Sequence, residues 1–242
     1  MRHPQGLPLP VPPGRRGTRF YVALAILSAT LVLVGFAPTF YLNAFMAHRE
    51  LDAVRLVHGS VFTLWLLLLL VQTTLVSAGR IAVHRKLGVA GGMLAGLMVV
   101  LGVAMAIHGA RHGLQTPGLP PPQIFLVVPL FDMAVFATLV AAALYWRRRP
   151  ELHKRLMIMA TLSILPAAIA RLPLPVMGDP LLQAFGLGDL LLLVCIAWDV
   201  VMQRRLHRVW VWGAALIILS LPLRLIVAGS AGWMAFAGWL IG

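Results

Sequence analysis

The stretch His58–Ser77, HGSVFTLWLLLLLVQTTLVS, contains no Asp, Glu, Lys or Arg. As an α-helix, rising about 1.5 Å per residue, it is roughly 30 Å long, the thickness of a bilayer's hydrocarbon core. Length and composition together make it a membrane span. Phe20–Leu42 before it has a similar character, as do Leu87–Ile107, Ile124–Trp146, Leu156–Leu172, Ala184–Met202 and Val209–Ala228 after it. The expected fold is therefore all-α, a polytopic bundle of seven transmembrane helices over residues 20–242. A tail at 1–19, rich in Pro, Gly and Arg, is expected to be disordered and cytoplasmic. Phe20–Leu42 exceeds the 7–15 residues of a signal-peptide core, so it reads as a retained span. Pro166 predicts a kink in the fifth span. Trp233, Phe236 and Trp239 are spaced as on one helix face and predict an amphipathic segment lying in the interface.

The whole chain supports that reading. Of its 242 residues 60% are apolar and 11% charged, with a mean hydropathy of +0.91. A soluble domain with so few charges could not cover so much apolar surface. The formal charge of +13 does not point to nucleic acid, because the basic residues form short clusters between apolar runs instead of a groove with interleaved aromatics. In an N-in topology the cytoplasmic segments hold Arg2, Arg15, Arg16 and Arg19, then Arg80, Arg85 and Lys86, then Arg147, Arg148, Arg149, Lys154 and Arg155, then Arg204, Arg205 and Arg208. Those are fifteen of the 20 basic residues, and positive charge marks the cytoplasmic side. The expected place is a bacterial inner membrane, N-in and C-out, with the bilayer itself as the surrounding partner. The single cysteine, Cys195, lies in an apolar run and leaves no intramolecular disulfide or thiolate metal site.

Ionisable groups within spans are costly, about 2.5–3.5 kcal/mol for Asp or Arg at a helix centre. Asp132 and Asp189 lie roughly 12 Å and 8 Å inside their helices at a rise of 1.5 Å per residue. Arg171 closes the fifth span, Arg224 lies in the outer part of the seventh, His58 opens the second and His108 closes the third. Two acids, two arginines and two histidines thus fall in the outer half. Neutralising pairs among Asp132, Asp189, Arg171 and Arg224 would relieve the cost, and could equally be helix-joining pairs with no ligand. His58, Trp65 and Gln72 recur every seven residues and share one helical stripe, the wall of a polar pocket or a polar helix–helix seam. On the inner side Arg80, His84, Arg85, His153, Arg155, Asp199 and His207 crowd one interface, where Asp199 could neutralise an arginine.

Three chemistries fit these residue types. A b-type haem needs histidines from different helices at matching depth, and His58 with His108, and His84 with His153, make such pairs on paper. His84 and His108 are about 36 Å apart along one helix, which places both pairs at the rims. A metal could take His58, His108 or His112 with Asp132, although no HExxH or cysteine motif supports it. A proton-coupled carrier of a small solute is a further reading, weakened by the lack of clear repeats. No nucleophile motif, phosphate loop or nucleotide fingerprint is present, so no catalytic residue is assigned and the chain reads as non-enzymatic.

The blocks HGSVFTLWLLLLLVQTTLVSAGR, HRKLGVAGG, PLFDMAVF and RPELHKRLMIMATLSILPAAIARL resemble a family of uncharacterised bacterial integral membrane proteins, from about Phe36 to the C-terminus. They look distantly like other membrane families of unknown function placed near b-type cytochromes, which favours haem b as a cofactor. The resemblance implies that His58, Trp65, Gln72, Arg80, His84, Asp132, His153, Arg155, Arg171 and Asp189 belong to recurring blocks, and it carries over no activity. The reading that results is a binding or accessory membrane protein. Its polar site would be formed by His58, Trp65, Gln72, Asp132, Arg171, Asp189 and Arg224, open to a small ligand or a partner membrane protein.

Overall fold

A computed structural model describes residues 15–46, 50–112, 120–174 and 179–242, and among these the chain is helical throughout, with no strand. The order is α1 (Arg15–Gly35), a π-helical turn (Ala37–Tyr41), α2 (Asn43–Met46), α3 (Ala53–Ser77), α4 (Ile81–His112), α5 (Pro122–Phe125), α6 (Val127–Tyr145), α7 (Pro150–Ser163), α8 (Pro166–Ile169), α9 (Pro180–Gln203), α10 (Arg208–Ala228) and α11 (Ala231–Ile241). Residues 1–14 of the expected tail lie outside the described residues.

Six helices are long and apolar enough to cross a membrane: Ala53–Ser77, Ile81–His112, Pro122–Tyr145, Pro150–Ile169, Pro180–Gln203 and Arg208–Ala228. They correspond to six of the seven expected spans. The remaining one, Phe20–Leu42, does not run as a single α-helix. Its apolar α-helical part is the shorter Arg19–Gly35, and beyond it the backbone widens by one residue per turn. Tyr41 N–H donates to Phe36 O at 3.2 Å and Leu42 N–H to Ala37 O at 2.7 Å, both spanning five residues. Pro38, with no N–H to give, sits inside this turn.

Local chemistry sets the other boundaries. The Asp52 carboxylate accepts from Arg55 N–H at 2.8 Å and caps α3. Asp179 accepts from Leu181 and Leu182 N–H and caps α9, with Pro180 at the first helical position. Ser230 caps α11 through Trp233 N–H. Gly79, at φ +73°, makes the tight reversal from α3 to α4, a conformation costly for residues with a Cβ. The fifth span breaks where its proline predicts: α7 ends at Ser163, and α8 starts at Pro166 after a turn at Ile164 and Leu165.

Helices α6 and α7 lie at the centre, and Phe136, Ala143, Met159 and Ala160 are fully enclosed. Helix α4 packs on α3 and α6, α10 on α6 and α7, and α1 on α3 and α8. Leu67, Val71, Val89, Met93, Val100, Leu225 and Ile226 are exposed on the outside of the bundle, the pattern of side chains facing hydrocarbon. The bundle has two ends. One gathers the short connections after α3, α6 and α9, and is called the hairpin end below. The opposite end holds the π-turn and Asp52, His108, Arg171 and Arg224, and is called the loop end.

Candidate polar site at the loop end

Arg224 on α10 and Asp132 on α6 are both buried, at 3% and 8% exposure. Arg224 Nη1 lies 2.7 Å from Asp132 Oδ1, and Nη2 donates to Ser220 Oγ at 3.1 Å, one turn earlier. The guanidinium is stacked among aromatic rings, 4.9 Å from the Phe185 centroid and 5.8 Å from that of Phe131. Nη1 is held by that ion pair, and Nε has no hydrogen-bond acceptor. Beside them is a cavity with about 20 Å³ for the centre of a water-sized sphere, room for about one water molecule. Ser163, Pro166, Gly188, Asp189, Ser220 and Arg224 are among its walls. The break at Pro166 helps to make this space, because a helix that stops and restarts cannot fill its flank evenly. Asp189 is half-buried and close enough for its charge to interact with that of Arg224. Two carboxylates therefore share one buried guanidinium.

The remaining expected site residues divide among other surroundings. Arg171 lies 4.6 Å over the Phe36 ring, and its Nη1 donates to Ala167 O, four residues back. The His58 ring is stacked on Phe62 at 4.1 Å, and its Nδ1 donates to Leu101 O at 3.3 Å. Trp65 is buried edge-on against Phe136 at 5.4 Å, with no acceptor for its indole N–H. Gln72, oriented to satisfy its neighbours, donates to His84 Nδ1 at 2.6 Å and His84 O at 3.3 Å and accepts from Gly88 N–H at 3.1 Å. The stripe His58, Trp65 and Gln72 thus faces α4 and α6, each residue with its own neighbour.

Two pairs of histidine rings lie close together among the described residues, and one of them joins different helices. His84 and His153 have ring centroids 6.3 Å apart at 75°, and His153 Nδ1 donates to Ala143 O at 2.8 Å. His108 is engaged elsewhere, donating from Nε2 to Asp52 Oδ2 at 2.9 Å and stacking on His112 at 4.2 Å. His58 and His108 thus have separate partners, Leu101 O and Asp52. His84 and His153 come from two helices, α4 and α7, and the Gln72 amide lies 2.6 Å from His84 Nδ1. Helix α4 is also tightly packed here: a Cβ on Gly91 would lie 3.1 Å from Leu68 Cδ2 and one on Gly92 3.4 Å from Leu144 Cδ1. Among the described residues no three His, Cys, Asp or Glu side chains converge as metal ligands. His58 and Asp132 have the separate partners given above.

Sequence reasoning passed lightly over the most complete polar cluster. At the hairpin end Arg155, at 1% exposure, grips Asp199 with two bonds, Nε to Oδ2 at 2.8 Å and Nη2 to Oδ1 at 2.9 Å. Nη1 donates to both Glu151 Oε2 and Glu151 O. Trp210 Nε1 adds a third bond to Asp199, at 2.9 Å. The cluster ties α7, α9 and α10 together. Its signal was an Asp and an Arg inside apolar runs near one interface, with Glu151 one turn before Arg155.

Outside the spans, Asp52 is held well below the usual carboxylate range, first by the Arg55 backbone N–H and then by the His108 and Arg55 side chains. Burial, then the charges of Arg155 and Arg205, push His207 down from its ordinary value.

Comparison with protein-family models, with curated proteins and with solved structures found no match.

Proposed function

We propose that the chain is a multi-pass protein of a bacterial inner membrane, with α1 as a seventh span, its N-terminus and hairpin end in the cytoplasm, and the loop end outside. In this reading it is a non-enzymatic binding or accessory protein whose site centres on Asp132, Asp189 and Arg224. The observation that carries it is the cavity beside Arg224. A buried guanidinium with an unfilled donor, next to a second carboxylate, is what a polar ligand would complete. The basic clusters at the hairpin end supply the orientation.

Gly229, exposed at the loop end, tests the orientation, because a Cβ there would make only ordinary contact, 3.7 Å from Leu225 O. In a Cys195→Ala background, Gly229→Cys in intact cells should react with a membrane-impermeant thiol reagent added outside, and labelling only in inverted vesicles would refute the orientation. Native mass spectrometry of the purified chain tests the site: a small polar ligand should be retained by the parent and lost in Arg224→Met, and its absence from the parent would refute the reading.

A second reading, haem b between His84 and His153, is favoured by their ring spacing on two helices. A reduced-minus-oxidised spectrum of the purified protein without an α-band removes it.

A further inference from the structure

We infer that Arg171, with the aromatic wall made by the π-helical turn, binds the oxyanion group of a ligand, a carboxylate or a phosphate. The first argument is charge. All seven acidic residues of the chain lie among the described residues, and none comes within ion-pair distance of Arg171. Asp132 is engaged with Arg224, Asp52 with Arg55 and His108, and Asp199 with Arg155. A partly buried cation at the rim of the bundle without a counter-charge carries a cost that an anion would relieve.

The second argument is direction. An arginine at the end of a span usually reaches onward to the interface, where water and headgroups solvate it. Arg171 folds back, its Nη1 bonded to Ala167 O. Its guanidinium therefore stays beside the bundle, over Phe36.

The third is the construction of the wall. A Cβ on Gly35 would sit 2.3 Å from Ala168 O, so α1 meets α8 with no side chain between them, which brings Phe36 under the arginine. The π-turn that follows is pinned to α3. The Phe40 ring lies where a Cβ on Gly59 would be, 2.3 Å from its Cε2. Thr63 spends its hydrogen on Gly59 O, so Tyr41 donates to Thr63 Oγ1 at 2.6 Å. Widened turns of this kind recur at functional sites. Here Phe36, the residue that opens the turn, lies under the cation. His58, next to Gly59, is near enough for the Arg171 charge to act on it.

The proposal uses residues apart from the cavity at Arg224, and its failure would leave that reading intact. The test is thermal unfolding of the purified full chain in neutral detergent, with acetate, inorganic phosphate, phosphatidylglycerol or diacylglycerol added at constant ionic strength. An oxyanion should raise the midpoint by several degrees, while diacylglycerol, which lacks one, should not. A rise with acetate or phosphate identifies a free anion. A rise with phosphatidylglycerol alone identifies a lipid headgroup. In both cases Arg171→Gln should abolish the rise, and without added anion it should be no less stable than the parent. Should Arg171→Gln fail to accumulate, Arg171→Lys should show a reduced rise, since it keeps the charge and loses the fork. The proposal is overturned if no oxyanion shifts the midpoint, or if the shift is the same in the variants.

Discussion

Arg155 at the hairpin end and Arg224 at the loop end are both buried arginines facing an aspartate from another helix, yet they are solvated to different degrees. Arg155 has a two-bond grip on Asp199, two further bonds to Glu151, and a partner carboxylate that also takes the Trp210 indole. Arg224 has one close oxygen from Asp132, a serine, and a donor left over beside a cavity. The first is a finished joint and the second is an open one. Buried charge alone therefore does not mark a binding site; the accounting of donors and acceptors separates the two.

The largest effect should come from breaking the finished joint. Asp199→Ala leaves Arg155 with Glu151 alone and Trp210 without its acceptor, and should cost about 3–5 kcal/mol of stability, read by unfolding in detergent. The double variant Arg155→Met, Asp199→Leu should recover part of that loss, because the under-compensated buried charge is gone. If the single variant is neutral, the hairpin-end cluster is not a joint and the contrast fails.

A smaller loss is expected at the open site. Asp132→Asn keeps the shape and leaves Asp189 as the remaining counter-charge, so about 1–3 kcal/mol is the expected cost by the same measurement. A loss equal to that of Asp199→Ala would mean that Arg224 is as fully committed to structure as Arg155.

The smallest effect concerns the rim of the loop end. Asp52 is held below its ordinary value, so its contribution is complete above about pH 4, the unfolded carboxylate value, and fades only as pH falls toward its folded value. Hydrogen exchange at Arg55 N–H should be insensitive to pH-dependent opening between pH 8 and 5 and lose protection below pH 4. Asp52→Asn should abolish that acid transition.

Helix positions were legible because hydrocarbon thickness imposes run length, and a run of twenty uncharged residues has few other uses. The break at Pro166 was legible for the same kind of local reason. The shortening of the first span was harder to see, since it depends on where the widened turn around Pro38 places its extra residue. Pairings were the least legible. Asp132 and Arg224 were two of four candidates, and choosing between partners needs the rotation of α6 against α10. Gln72 shares a stripe with His58 and Trp65, but its partner is His84, on the other side of the Gly79 reversal.

That last contact bears on how the chain enters a bilayer. Gln72 and His84 are twelve residues apart, joined by a two-helix reversal, and each answers the other's hydrogen-bonding need. An amide stranded in hydrocarbon would resist insertion. In this hairpin the resisting group is neutralised by a neighbour made moments later in synthesis, with nothing required from the remaining two-thirds of the chain. The segment α3–Gly79–α4 is thus equipped to be laid into the membrane as one piece, before α6, against which α4 will later pack, exists.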